Sequence, residues 1–225
     1  MCSKDLSRIR EFEWIDHQVD KGGKIFKQRF LDGLVDMTGN KVALTSYPRA
    51  GNSLTRSYLE KITGITTGSE AKSDLTLQLI GLIGEGHSAD ERVWINKTHF
   101  PLAAPFFVNR FDVNKQIYLM RNPLDVIYSV ANMVNTFSHE LVPNEEYHTE
   151  FPEFWDDWIN QQISNLATFH NYVSTEMATA MPTHCLRYED LCENPIDSLR
   201  ELFEFLLDAE DLKGTVAEAR IIQVA

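Results

Sequence analysis

A strand-like run that leads through a proline and a glycine turn into a helical pattern, residues 41–62, constrains the fold of this chain more than any other stretch. The apolar, β-prone residues 42–45 predict a strand, and Pro48 predicts its end because proline cannot donate to a sheet ladder. Gly51 predicts a tight turn, since glycine accepts positive φ without steric cost. Apolar residues then recur near helical spacing over 54–62. This succession predicts an anion cradle, because backbone N–H groups and the helix dipole both favour negative charge at a helix start.

Side chains around the turn sharpen that prediction. Asn52 and Ser53 are expected to cap the helix, and Arg49 and Arg56 are expected to grip phosphate or sulfate oxygens. An ATPase or GTPase loop fits poorly, because Gly51 is followed by Asn52 rather than lysine and no glycine lies five positions earlier. From these residues alone, an ordinary strand–turn–helix corner with a surface arginine is an equal alternative.

Composition narrows the class of protein. With 225 residues, 43% of them hydrophobic, the chain can bury a full core, and we predict a single domain over residues 1–225. The formal net charge of −12 argues against a general binder of nucleic acid or of anionic membranes. The N-terminus is polar, without a signal-peptide pattern, and no apolar run approaches membrane-spanning length, so a reducing cytoplasm is predicted.

The cysteines and histidines predict neither a disulfide framework nor a metal site. Three cysteines are too few and too scattered for either, and Cys185 and Cys192 are predicted to be buried thiols because they lie in or beside an apolar run. His139 and His148 have no partners at metal-ligand spacing, so zinc is not expected.

Alternation of strand and helix patterns predicts an α/β fold. Three further strands are predicted over 91–99, 116–120 and 183–190, and helices over 74–83, 126–137, 153–175 and 196–207, the last capped by Asn194. Residues 63–73, 84–90 and 138–152 are predicted loops, and two short helices are predicted within 1–40. Together these elements predict a P-loop-like parallel β-sheet with helices on both faces.

Basic and aromatic residues follow the predicted strands. In α/β sheets the carboxyl edge carries the chemistry, so one rim is expected to gather Arg49, Gly51, Asn52, Ser53, Lys97, His99, Arg121 and Tyr188. Taken singly, His99 also fits an ordinary hydrogen-bonded histidine, and Arg121 could pair with Asp125.

Four segments resemble the sulfotransferases. Residues 46–53 are similar to the loop that binds the 5′-phosphosulfate, with Arg49 where cytosolic members have lysine and tyrosylprotein sulfotransferases have arginine. The segment Lys97-Thr98-His99, followed by Phe100-Pro101, resembles the one that carries the family's catalytic base. Residues 121–129 resemble the pattern that holds the 3′-phosphate, and residues 186–195 resemble the segment whose tyrosine approaches adenine. The resemblance covers roughly residues 41–210.

The resemblance implies a donor, 3′-phosphoadenosine 5′-phosphosulfate, and in-line transfer of its sulfuryl group to the hydroxyl or amine of a small molecule, without a metal, a nucleic acid or a membrane. His99, partly neutral if its pKa lies near the usual 6.5, is implied as the base, Lys97 as the partner of the sulfuryl oxygens and Arg49 as the stabiliser of the leaving group. The implied donor-binding residues are Arg49, Ala50, Gly51, Asn52, Ser53, Leu54, Arg121, Ser129 and Tyr188.

Two departures from the family pattern keep alternatives open. Leu54 occupies a position where cytosolic members often have a tryptophan that stacks on adenine, and no Arg-Lys-Gly element that would close over the 3′-phosphate precedes residue 225. The sequence therefore also fits a fragment, a divergent member or a non-catalytic relative that binds nucleotide or a partner protein. A nucleotide kinase is disfavoured by the missing P-loop lysine. The acceptor and the oligomeric state are not encoded in any motif.

Overall fold

A computed structural model describes residues 41–70, 79, 82–85, 93–102, 112–136 and 150–225. The two short helices predicted within residues 1–40 and nearly all of the loop predicted over 138–152 lie outside these ranges, as does most of the helix predicted over 74–83. The extent of a single domain over residues 1–225 therefore stays a prediction.

A five-stranded parallel sheet forms the centre of the molecule. Its strands are β1 (Val42–Ser46), β2 (Gly68–Ser69), β3 (Ile95–Thr98), β4 (Lys115–Met120) and β5 (Thr183–Arg187), in the spatial order β2-β3-β1-β4-β5. All five residues of β1 are buried, as expected for a central strand covered on both faces. In register, Leu44 pairs with Lys97 on one side and with Ile117 on the other. The carboxyl ends of β3, β1, β4 and β5 therefore meet at one edge.

Helices cover both faces of this sheet. They are α1 (Asn52–Thr63), α2 (Pro123–Thr136), α3 (Pro152–Tyr172), α4 (Tyr188–Glu193), α5 (Pro195–Leu207) and α6 (Val216–Val224). One apolar cluster joins the sheet to α1, α5 and α6, and a second joins it to α2 and α3. Helix α3 continues through a π-helical turn, Val173–Met177, into Ala178–Ala180. The predicted α/β class is confirmed. Among the described residues, no helix is long and apolar enough to cross a membrane.

Several predicted boundaries are wrong. The segment predicted as a loop over 63–73 contains the edge strand β2, which is too short for its period to show in the sequence. The predicted strand over 183–190 ends at Arg187, where the backbone of Tyr188 begins α4. Helix α6 was not predicted at all, although it packs on α1 and its Arg220 Nη1 donates 2.9 Å to the carbonyl of Ile62.

The prediction of buried thiols is also wrong. Cys185 and Cys192 are both exposed, free cysteines. Cys185 lies on β5, an edge strand of the sheet whose outward side chains are less covered than those of central strands. An apolar run therefore did not report burial here, because the position of a strand within the sheet decides how much of it is covered.

Helix α1 begins differently from the prediction. Its N-cap is Gly51, in the left-handed region with φ 107°, which has no side chain to cap the helix. Asn52 Nδ2 instead donates 2.5 Å back to Ser46 Oγ at the end of β1. A Cβ built on Gly51 would lie 2.3 Å from Cδ2 of Tyr188. Gly51 is thus required twice, for its φ and for the close approach of the Tyr188 ring.

We expect Gly51→Ala to lower the free energy of unfolding by about 2–4 kcal/mol, because it combines an unfavourable φ with a steric clash. Gly214→Ala is the matched control: Gly214 also has positive φ, 75°, but nothing lies within 4 Å of a Cβ built there. It should therefore report the backbone cost alone, about 1 kcal/mol. Urea denaturation of both variants measures the difference, and equal losses would show that the Tyr188 ring does not pack on Gly51.

Candidate active site

The turn after β1 projects its backbone into the carboxyl edge of the sheet. Arg49 has φ 69°, an uncommon left-handed conformation for a non-glycine residue, and Gly51 follows with φ 107°. The N–H of Ala50 donates 3.2 Å to the carbonyl of Tyr47, which closes the turn. Two left-handed residues at the start of α1 form an unusual backbone shape of the kind that concentrates at binding sites. The predicted turn is confirmed, with Arg49 sharing the special geometry.

Three segments that are remote in sequence meet beside this turn. Arg49 Nε donates 2.8 Å to Ser129 Oγ on α2. Arg121, directly after β4, donates from Nη1 to the carbonyl of Arg49 at 3.1 Å. The guanidinium of Arg121 lies 4.5 Å from the ring centroid of Tyr188, in a cation–π arrangement. The Tyr188 ring in turn packs on Gly51. We call Arg49, Gly51, Arg121, Ser129 and Tyr188 the arginine cluster.

The charges of the arginine cluster favour an anion. Burial and the neighbouring charge of Arg121 lower the pKa of Arg49 from its ordinary value. Arg121 Nε is buried and, among the described residues, has no hydrogen-bond partner. Two like charges held together, with one buried donor left over, form a site that a phosphate would complete with bidentate hydrogen bonds. Arg121 makes these contacts instead of the alternative pairing with Asp125 considered from the sequence.

The remaining predicted residues of the loop differ in accessibility. Ala50 is buried in the apolar cluster on the side of α2 and α3. Asn52 is buried against Ser46, whereas Ser53 is exposed in the first turn of α1. Leu54 is half-buried and packs against the cluster on the α1 side. Of these, the Ser53 side chain is the most accessible to a ligand at the helix start.

His99 lies immediately after β3, next to the start of the turn that follows β1. Its ring is buried, with 8% of the residue exposed, and Nδ1 is 2.7 Å from the carbonyl oxygen of Ser46. A carbonyl only accepts, so Nδ1 must carry the proton, and Nε2 of the neutral ring carries the basic lone pair. The backbone N–H of His99 donates 2.6 Å to Glu70 Oε1, which fixes the residue from the opposite side.

The protonation state of His99 differs from the sequence-based expectation. Burial, followed by the positive charge of Lys97, lowers its pKa from 6.5 to about 3. The imidazole is therefore neutral at pH 7 rather than partly protonated. In the unfolded chain the same group takes up a proton near pH 6.5. Its contribution to stability is thus complete above pH 6.5 and is lost as pH falls towards 3.

Lys97 and Arg56 belong to a buried ion network. Glu85 accepts from Arg56 Nη1 through Oε2 and from Lys97 Nζ through Oε1 at 3.2 Å. Arg56 is fully buried, and its Nε donates 2.7 Å to Thr67 Oγ1. The prediction that Arg56 grips phosphate or sulfate is therefore wrong, because its guanidinium is turned into the protein. Although burial opposes ionisation of Glu85, the charges of Arg56 and Lys97 and the hydrogen bonds outweigh it and lower its pKa.

Two carboxylates of this region were missed in the sequence. Glu85 falls in a predicted loop, and Glu70 follows the unrecognised strand β2. Glu70 accepts from Thr98 Oγ1 at 2.7 Å and from the N–H of His99, while its own N–H donates 3.1 Å to the carbonyl of Lys97. Burial raises its pKa, against the opposing effect of these hydrogen bonds. Both glutamates fall in predicted loops and outside every motif described above, so no sequence signal marked them.

Comparison with known proteins assigns the chain to a family. The sequence model of a protein family described as "Sulfotransferase domain" matches residues 40–218. A WSCD family member of Aedes aegypti is 28% identical over 172 residues, which are 73% of this chain and 49% of that protein. A WSCD family member of Drosophila melanogaster is 26% identical over 176 residues, with the same coverage of 73% and 49%. The chain thus spans about half the length of the curated relatives that it matches.

A solved structure was also found among similar folds. It is described as mouse sulfotransferase SULT7A1 complexed with PAP, and it has a TM-score of 0.47 and 15% identity to this chain. The match covers 82% of this chain and 63% of the mouse chain.

We expect the ring of His99 to stay neutral, with the proton on Nδ1, from about pH 8 down to about pH 5, because its pKa is lowered to about 3. Long-range proton–nitrogen NMR spectra of the imidazoles measure both tautomer and titration, and a His99→Gln variant assigns the signal. A titration midpoint near pH 6.5 for that signal would contradict the burial and contacts described for His99.

Proposed function

Because this chain belongs to the sulfotransferase domain family, we propose that it transfers a sulfuryl group from 3′-phosphoadenosine 5′-phosphosulfate to the hydroxyl or amine of a small molecule. The proposed acceptor class and a cytoplasmic location extend beyond the family assignment. They are proposals for the whole protein, since the curated relatives are about twice as long as the matched region.

The arginine cluster is the observation that carries this proposal. A donor with phosphate groups at both ends of a ribose requires two anion sites at a fixed separation on one surface. Arg121 and Ser129 supply groups for the 3′-phosphate, and the turn amides around Gly51 with Arg49 supply groups for the 5′-end. Tyr188 is stacked against Arg121 and offers a ring face for the adenine of the donor. The buried Nε of Arg121, which has no hydrogen-bond partner in the described part of the chain, supports this fit.

The proposed chemistry follows from the positions of three side chains. The donor supplies an activated sulfuryl group whose bond to the 5′-phosphate breaks as the acceptor oxygen or nitrogen bonds to sulfur. Arg49 would neutralise the charge that develops on the departing phosphate, and Lys97 would neutralise the sulfuryl oxygens. His99 would take the acceptor's proton on Nε2, because Nδ1 is fixed to the carbonyl of Ser46. Its lowered pKa keeps the ring unprotonated at pH 7, and the same shift makes the ring a weaker base than an ordinary histidine.

Burial of His99 also supports a second candidate function. The residue is 8% exposed, and Lys97 is tied to Glu85, whereas every residue of the arginine cluster is partly exposed. A domain that binds the nucleotide without transferring its sulfuryl group requires only the cluster. The two functions differ in whether His99 matters.

We expect the wild-type protein to move radioactive sulfur from labelled donor to members of a mixed library of phenols, alcohols and amines. His99→Ala should lower that rate by about 10²–10⁴-fold, the usual contribution of a general base. His184→Ala is the matched control. His184 is a partly buried histidine that stacks on Phe205, and it is not at the carboxyl end of its strand. Transfer at the wild-type rate in His99→Ala would remove His99 as the base, and binding of donor without any transfer would favour the second function.

We expect Arg121→Ala to weaken binding of adenosine 3′,5′-bisphosphate about 10- to 100-fold, because it removes charge-assisted hydrogen bonds to the 3′-phosphate. Arg187→Ala is the control, since Arg187 ends the neighbouring strand β5 but is exposed and pairs with Asp190. Isothermal titration calorimetry measures both affinities. Equal affinity of Arg121→Ala and wild type would locate the 3′-phosphate elsewhere.

A further inference from the structure

Glu85 is a buried carboxylate that the proposed reaction does not use. It lies outside the sheet, yet three side chains from three different elements converge on it: Arg56 of α1, Ser69 of β2 and Lys97 of β3. Its own side chain is 1% exposed. A carboxylate this deeply buried is costly unless fully paired, and Arg56 alone neutralises its charge. The additional pairing with Lys97 therefore leaves one net positive charge on the three groups.

The backbone around Glu85 is built to hold the carboxylate at this point. A Cβ added to Gly84 would lie 1.9 Å from the carbonyl oxygen of Thr67, so the chain passes Thr67 at a distance that no other residue allows. The same Thr67 carbonyl accepts from Arg56 Nη2 at 3.2 Å. Arg56 is thus anchored to Glu85 and to Thr67, and the chain next to Glu85 passes close to Thr67, which fixes where Glu85 Oε1 meets Lys97.

Lys97 connects Glu85 with the site of the proposed reaction. Lys97 is the third residue of β3, and His99 follows directly after the strand ends at Thr98. The charge of Lys97 is felt at the His99 ring, where it is the second cause of the lowered pKa after burial. The Lys97 side chain is 12% exposed, whereas the Glu85 side chain that it contacts is 1% exposed. Its four-carbon stem allows Nζ to move between two anionic partners.

We propose that Glu85 is a positioning residue that holds the Lys97 ammonium group in the unliganded protein and gives it up to the sulfuryl group of the donor. This inference rests on the proposed function. The sulfuryl group is the part of the donor that the product nucleotide lacks, so the exchange affects the donor and not adenosine 3′,5′-bisphosphate. Glu85 would therefore lower the preference of the site for 3′-phosphoadenosine 5′-phosphosulfate over adenosine 3′,5′-bisphosphate, because it competes with the sulfuryl group for Lys97.

The affinity ratio of 3′-phosphoadenosine 5′-phosphosulfate to adenosine 3′,5′-bisphosphate, measured by calorimetry on the full chain, tests this inference. Glu85→Gln removes the competing charge, so the ratio should rise about tenfold while affinity for the bisphosphate stays near wild type. Lys97→Met should abolish the preference for the donor. In the double variant the ratio should equal that of Lys97→Met, because Glu85 acts through Lys97.

A second variant keeps the test valid if Glu85→Gln does not fold, since that change leaves Arg56 buried without its counter-charge. Glu85→Asp retains the charge but withdraws the carboxylate by one methylene, and a smaller rise of the ratio, about two- to threefold, is expected. An unchanged ratio in the folded Glu85 variants, or the same change in the Lys97→Met background, would overturn the inference while leaving nucleotide binding intact. No binding of either nucleotide by the wild type would overturn both this inference and the proposed function.

Discussion

Parallel pairing of β1 with β3 on one side and β4 on the other is the constraint on which the candidate site depends. A charged or polar residue ends each of these strands or directly follows it, and parallel register delivers those residues to the same edge. The turn after β1 lies between the other two strand ends, so Ser46 can reach His99 while Arg49 reaches Arg121. A change of one residue in the register of either pair would move these side chains to opposite faces.

The buried ion network adds a cost that the apolar clusters on the two faces must offset. Arg56 and Glu85 are almost completely removed from water, and replacing such a pair by apolar residues is often neutral or stabilising in other proteins. What the network provides is therefore position rather than stability. Through Glu85 it ties α1 to the strand that carries Lys97.

Sequence patterns predicted the local parts of this arrangement better than the long-range parts. The turn at Gly51, the strand ends at Arg121 and at the segment before His99, and the class of fold depend on neighbouring residues or on period, and these are confirmed. The partner of Arg56 is 29 residues away, so nothing near Arg56 distinguished an anion-binding arginine from a buried one. The pKa of His99 depends on burial under several elements, which no motif records. Exposure of Cys185 depends on strand order, which is a property of the whole sheet.

The side chain and the main chain of Ser46 make different contacts. Its hydroxyl holds Asn52, whereas its carbonyl oxygen fixes the tautomer of His99. Every amino acid has that carbonyl, so substitutions at position 46 during evolution can loosen the loop without altering which ring nitrogen bears the proton. The main chain of the strand therefore orients the imidazole, and this orientation can persist when another residue replaces the serine.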